Sequence, residues 1–204
     1  MILYNKIQTE CIEHPPSPLM IVAGAGTGKT TTIVGRISYF IKKYNIDPKT
    51  ILALTYTVKA AEHLKDEISK AVGAKHDYIN ALNFHSFALD QTLEFFDYLG
   101  YTATPKLVEG NESKYIINNL IIENTENFIS TVYRKNNNLA FNTFSKIFNQ
   151  LNDELIYGKE LIQKYNSLQK KVDIEQEDMQ LIDALYIYFK YQKFKKENNL
   201  IDFG

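Results

Sequence analysis

Residues 19–37 constrain the fold of this chain more than any other stretch. The apolar run Leu19-Met20-Ile21-Val22 leads into Ala23-Gly24-Ala25-Gly26-Thr27-Gly28-Lys29-Thr30, and that into Thr31-Thr32-Ile33-Val34-Gly35-Arg36-Ile37. A strand pattern, a glycine-rich turn and a helix start, in that order, form the arrangement that holds a phosphate chain. Glycines let successive backbone N–H groups turn inward, and the positive end of the following helix favours an anion. In the spacing G-x-x-x-x-G-K-[ST], the lysine (Lys29) reaches the β- and γ-phosphates of a nucleotide. The hydroxyl of the next residue (Thr30) helps to hold Mg2+. Ala23 stands where that spacing has its first glycine.

The 204 residues are enough for one or two domains with a sizeable core, and 45% hydrophobic with 23% charged residues indicates a globular chain. No apolar run has spanning length, and no basic segment followed by an apolar stretch opens the sequence, so neither a membrane span nor a secretory leader is predicted. The single cysteine, Cys11, excludes an internal disulfide and a cysteine-rich metal site, which fits a reducing cytoplasm. Cys11 reads as a small packed residue of the first helix. His14, His63 and His76 have no partners at metal-ligand spacing. The net charge of −1 does not advertise nucleic-acid binding, but residues 1–73 carry nine Lys/Arg against six Asp/Glu, and the remainder 14 against 18. The half with the phosphate loop is therefore the more basic one, an asymmetry that a solvated surface explains equally well.

Residues 5–13 read as a short helix with Asn5 as cap and Gln8 three positions on, the spacing of a capping box; His14-Pro15-Pro16-Ser17-Pro18 ends it. Ile33, Ile37, Phe40 and Ile41 recur at helical spacing and carry the helix after the loop to about Tyr44. Ile51-Leu52-Ala53-Leu54-Thr55 reads as a buried parallel strand. A helix follows from Lys59 to Val72 and stops near Gly73, and Tyr78–Asn83 is a third strand before another helix. Strands alternating with helices imply a parallel sheet. After Gly100 only helices are predicted. One is capped by Asn111 and runs through Glu123. Another runs from Phe141 to Tyr157 with Phe144, Ile147, Phe148, Leu151 and Leu155 on one face, ended by Gly158. A long last one runs from Glu175 to about Asn198, with Lys193, Lys195 and Lys196 suited to its C-terminal dipole.

Five segments, in order, resemble the UvrD/Rep/PcrA-type superfamily 1 DNA helicases. Leu3-Tyr4-Asn5-Lys6-Ile7-Gln8 resembles the opening L-N-x-x-Q element. The glycine loop with Arg36-Ile37-Ser38-Tyr39-Phe40-Ile41 resembles A-G-A-G-[ST]-G-K-T…R-I-A-Y-L-I. Leu52–Ala61 resembles motif Ia, L-A-[IL]-T-F-T-N-K-A-A. Asn83-Phe84-His85-Ser86-Phe87 resembles motif Ib, T-F-H-S-F. Leu200-Ile201-Asp202-Phe203-Gly204 resembles I-D-F-[DG]-D-L-L. The resemblance implies an α/β fold: a partial P-loop (RecA-like) parallel-sheet domain with an all-helical inserted subdomain. Residues 1–91 would form the first part of motor domain 1A, 92–190 the helical subdomain 1B, and 191–204 the return toward 1A.

The resemblance also implies roles. ATP and Mg2+ would be held by Ala23, Gly24, Ala25, Gly26, Thr27, Gly28, Lys29, Thr30 and Thr31, with Thr30 on the metal; Thr31 stands where the family often has an arginine stacked on adenine. Gln8 would read adenine, an amide being able to donate and accept at once, or it merely caps its helix. Thr55, Tyr56 and Thr57 would line a single-stranded DNA groove, hydroxyls on phosphates and the ring under a base; taken alone, Tyr56 is more often a core residue at a strand end. Tyr56 replaces the usual Phe, and Val58 the usual Asn. Lys59 either contacts a phosphate or opens a helix into solvent. His85 and Ser86 would touch the DNA backbone, although a lone histidine is more often structural. Arg36 is expected in structural hydrogen bonds or an ion pair. The implied partners are single-stranded DNA (a 3′-tailed duplex for the whole motor, moving 3′ to 5′) and the remainder of a helicase chain, with no membrane, a cytoplasmic location and DNA repair as one setting.

A phosphate-cleaving motor also needs an acidic pair, one carboxylate on Mg2+ and one on the attacking water. The family's D-E-x-Q-D does not occur in these residues, and Asp153-Glu154 and Glu177-Asp178 lie in helical patterns. The expectation is an N-terminal piece of an ATP-dependent DNA helicase that binds nucleotide weakly and hydrolyses none; the rival is a stand-alone nucleic-acid- or protein-binding module with a structural P-loop. The resemblance implies that strands formed beyond these residues lie between the P-loop strand and the motif Ia strand; without them a strand at Leu19–Ala23 would lack its neighbours, and buried backbone groups without partners cost about 1–3 kcal/mol each. The three strands are therefore predicted not to form one continuous sheet.

Overall fold

A computed structural model describes residues 3–73 and 78–203. The chain divides into two compact units, Met1–Thr92 and Leu93–Gly204. The first holds α1 (Lys6–Glu13), α2 (Lys29–Tyr44), β1 (Leu52–Thr55), α3 (Val58–Val72), β2 (Asn80–Asn83) and most of α4 (Phe84–Glu94). The second holds β3 (Lys106–Leu107), α5 (Asn111–Asn124), α6 (Thr131–Lys135), α7 (Asn137–Asp153), α8 (Lys159–Gln169), α9 (Gln176–Glu197) and β4 (Leu200–Ile201).

In the first unit the local signals decide the element ends. Asn5 Oδ1 accepts from the Gln8 N–H at 2.9 Å and Gln8 Oε1 accepts from the Asn5 N–H at 3.0 Å, closing the capping box. Thr57 Oγ1 accepts from the Ala60 N–H at 3.1 Å and starts α3 one residue before the predicted Lys59; Gly73 in the left-handed region ends it. β1 and β2 pair in parallel from Leu52↔Asn80 to Thr55↔Asn83. Val34, Leu64, Ile68, Ile79 and Ala81 pack together as the core between helices and sheet. Leu19–Ala23 forms no strand. It has no ladder partner among the described residues, and Met20 and Val22 are 86% and 88% exposed. Its apolar composition is that of a central strand, but a strand exists only with neighbours to bond, so the predicted break between this segment and the two-stranded sheet is what the structure shows.

In the second unit Phe128, Tyr133, Ala140, Phe144, Ile182, Leu185 and Ile187 form the buried centre. Several expectations need correction here. Gly110, not Asn111, occupies the cap position of α5, with no side-chain cap bond. α7 begins at Asn137 and ends at Asp153. Leu155 then takes a left-handed conformation (φ 54°) and stands 73% exposed while the Ile156 N–H closes back on Leu151 O at 2.9 Å. Gly158 thus precedes α8 rather than ending α7. β3 and β4 form a two-residue parallel pair where only helices were predicted, and strands this short leave no alternating pattern to read.

Among the described residues of this unit, Lys195 and Asp183 are buried charged side chains. Lys195, expected to answer the helix dipole, is 6% exposed and donates to Asp202 Oδ1 at 2.6 Å; the Tyr191 hydroxyl donates to Asp202 Oδ2 at 2.6 Å, and its pKa is pushed far up by burial and by this carboxylate. Asp183, 2% exposed, accepts the N–H groups of Ile129 and Ser130 at 2.8 and 2.9 Å. Burial outweighs these bonds and raises its carboxyl pKa above the ordinary range. With the folded-state pKa above the unfolded one, the stability gained from holding the proton is present at low pH and lost as pH rises through the folded value. Asp183→Asn, which cannot ionise, is expected to flatten that slope in urea midpoints measured between about pH 4 and 7; an unchanged slope refutes it.

Candidate functional site

The glycine loop joins Leu19–Ala23 to α2. Gly26 and Gly28 have φ of 74° and 85°, a region in which a side chain is strained. Lys29 folds back over the loop, and its Nζ donates to Ala23 O and Gly24 O, both at 2.8 Å. Thr27 Oγ1 donates to Gly24 O at 2.9 Å and braces the turn. The ammonium therefore sits in the mouth of the loop, satisfied by carbonyl oxygens that a phosphate chain could replace. Thr30 is exposed on the first turn of α2, whose leading N–H groups have no intrahelical acceptor. Thr31 is half-buried, and Thr32 is buried with its hydroxyl donating to Gly28 O at 3.0 Å. Ala23 is half-buried; Gly24 and Ala25 are exposed. Positive-φ glycines, an inward ammonium, an exposed hydroxyl and a helix N-terminus together fit a nucleotide triphosphate with Mg2+.

Gln8 serves its helix and also reaches the loop. Its Oε1 closes the capping box, and its Nε2 donates to Thr27 O at 3.3 Å. A side-chain amide has two donor hydrogens and two acceptor lone pairs, so one of each remains. Capping and base reading are thus compatible in one side chain.

The parallel register brings the two other motifs together. Thr55↔Asn83 is the last pair of β1 and β2, so Thr55-Tyr56-Thr57 and Phe84-His85-Ser86 leave neighbouring strands at the same end of the sheet. That end is where open parallel sheets bind ligands. Thr55 Oγ1 donates to Thr57 O at 3.0 Å, and Asn83 Oδ1 accepts the Ser86 N–H at 2.8 Å. Tyr56 is 88% exposed, which removes the core reading. Lys59 and His85 are exposed and Ser86 half-buried. Phe84, not singled out as a site residue from sequence, adds a second ring, 56% exposed, on this edge; an apolar residue directly after a strand is the signal that could have found it.

A cavity of about 730 Å3 opens between α2, β1 and α3, lined by Ile33, Ile37, Phe40, Leu54 and Leu64 and rimmed by Thr30 and Thr57. Arg36 lines it too and makes the structural bonds expected of it, donating to Cys11 O, His14 O and Pro15 O. Cys11 is half-buried on α1. The acidic pairs are engaged elsewhere: Asp178 accepts from Lys171 and from the Glu175 N–H at the start of α9, and Glu154 accepts from Gln150. Among the described residues no cluster of His, Cys, Asp and Glu could hold a metal, and no helix is long and apolar enough to cross a membrane. His76 lies outside the described residues.

The family described as UvrD/REP helicase N-terminal domain matches residues 4–204. The chain is similar to the ATP-dependent DNA helicases PcrA of Staphylococcus aureus (strain Mu50 / ATCC 700699) and of Staphylococcus epidermidis (strain ATCC 12228 / FDA PCI 1200), each 31% identical over 117 residues. Those residues are 57% of this chain and 16% of each relative, so the chain matches a small part of the curated relatives' length.

Proposed function

The chain belongs to the UvrD/REP helicase N-terminal domain family, and from that premise we propose that it supplies the ATP-binding and single-stranded-DNA-contacting face of an ATP-dependent DNA helicase. The observation that carries this reading is the Lys29 ammonium turned into a glycine loop at the start of α2. Ala23–Thr31 cradle the triphosphate, Thr30 is placed to hold Mg2+ and Gln8 faces the base. Thr30 would hold the Mg2+, which when bound would supply neutralisation of the phosphate charge. Thr55, Tyr56, Thr57, Lys59, His85 and Ser86 contact the DNA strand, hydroxyls and cations on phosphates, Tyr56 stacked on a base.

Residues 1–91 then correspond to the first part of a motor domain, 92–190 to its helical inserted subdomain and 191–204 to the return segment. Among the described residues β1 pairs with β2 alone, which leaves its other edge open to a neighbouring strand of a P-loop sheet. The roles proposed for these residues are nucleotide and DNA contact; D-E-x-Q-D is not among them. Binding of a fluorescent oligo-dT to the chain tests the DNA part. Tyr56→Ala is expected to weaken it by about fivefold to a hundredfold, the value of one base stack, with helical content unchanged because the ring packs on little. Equal binding by wild type and variant contradicts the assignment.

A further inference from the structure

We propose that Arg36 is a positioning residue for base selection: it fixes α1 so that Gln8 presents its remaining donor and acceptor beside the phosphate loop. The proposal rests on the reading of that loop as a nucleotide site. Arg36 Nη1 donates to Cys11 O at 2.7 Å and to His14 O at 2.8 Å, and Nη2 donates to Pro15 O at 3.0 Å. These carbonyls close α1, where a helix leaves its last carbonyls without intrahelical donors, and where Pro15 and Pro16 bring no N–H. The guanidinium carbon lies 4.4 Å from the centroid of the Phe40 ring, which holds the fork in plane. One side chain of α2 thus grips the far end of α1.

Close approach along its length also holds α1 against α2. Gly28 at the cap of α2 and Gly35 within it are seven residues apart and lie on one face. A Cβ at Gly35 would come within 2.7 Å of Ile12 Cδ1 and 2.8 Å of the Tyr4 hydroxyl; one at Gly28 would come within 2.8 Å of Gln8 Nε2. α1 therefore rests on a glycine track with Gln8 over the loop, and Arg36 sets where along that track it stops. One N–H and one lone pair of Gln8 are left by its bonds to Asn5 and Thr27. They match the N7 acceptor and N6 amino donor of adenine; guanine offers two acceptors at those places. The pairing demands placement, so the residue that places α1 controls discrimination without touching the nucleotide.

The test compares affinities of the chain for Mg-ATP, Mg-GTP and inorganic tripolyphosphate in wild type, Arg36→Ala and Arg36→Lys. Wild type should favour ATP over GTP by about fivefold or more, the value of a well-placed hydrogen-bond pair. Arg36→Ala should bring that ratio within about twofold of unity while tripolyphosphate affinity stays within about twofold of wild type, a split that general loosening of the fold does not produce. Arg36→Lys, which keeps the cation but not the fork, should restore part of the ratio and stands in if the alanine variant does not fold. A ratio unchanged in the variants overturns the proposal, as does a fall in tripolyphosphate affinity equal to that for ATP. A wild type that binds tripolyphosphate without preferring ATP overturns the proposal alone; a wild type that binds neither overturns the nucleotide reading beneath it.

Discussion

Replacing Lys29 with alanine is expected to lower Mg-ATP affinity by about a hundredfold, the effect of removing a charged donor from phosphate oxygens at short range. The side chain is exposed and bonds to Ala23 O and Gly24 O, so its loss leaves the core of Val34, Leu64 and Ile68 intact. Those carbonyls return to water rather than to a void, and helical content and thermal midpoint should stay close to wild type. Fluorescence titration with a labelled ATP analogue, beside circular dichroism of both proteins, separates lost binding from lost fold. Retained affinity in the variant would mean that the loop is a turn and nothing more.

Phe144→Ala is expected to unfold the second unit while leaving the first. Phe144 is fully buried, edge-on to Phe128 at 5.6 Å and to Tyr133 at 5.1 Å between ring centroids. Truncating such a ring loses its transfer energy and opens a cavity, together about 3–5 kcal/mol, a large share of the stability of a unit this size. The core of the first unit is a separate cluster. Hydrogen exchange should therefore show α7 and α9 amides losing protection while those of α2 and α3 keep theirs. Equal loss in both units would show that they fold as one.

Much of the first unit was legible because its signals are local and agree, apart from Leu19–Ala23, whose strand pattern forms no strand. Asn5 and Gln8 announce a capping box, Gly73 a helix stop, Gly26 and Gly28 a loop that needs positive φ, and each does its predicted work. What escaped depends on contacts between distant residues. The two-residue strands at Lys106 and Leu200 are defined by each other. The left-handed turn at Leu155 ends α7 with a residue whose composition argues for continuing it. Lys195 reads as a cation suited to the helix C-terminus and Asp183 carries no sequence signal, yet tertiary partners draw both inside. At the site, the glycine loop carried its meaning in its own residues. The dual duty of Gln8 and the meeting of Tyr56 with Phe84 on one sheet edge required the fold.

The central claim is that the loop before α2 binds a nucleotide triphosphate through its backbone and Lys29. Backbone amide NMR of the chain during a Mg-ATP titration tests it most directly. The account predicts saturable shifts concentrated at Gly24–Thr31 and at Gln8, reproduced at Gly24–Thr31 but not at the Gln8 side-chain amide by tripolyphosphate. Shifts spread over other surfaces, with the loop amides unmoved at saturating nucleotide, would contradict it.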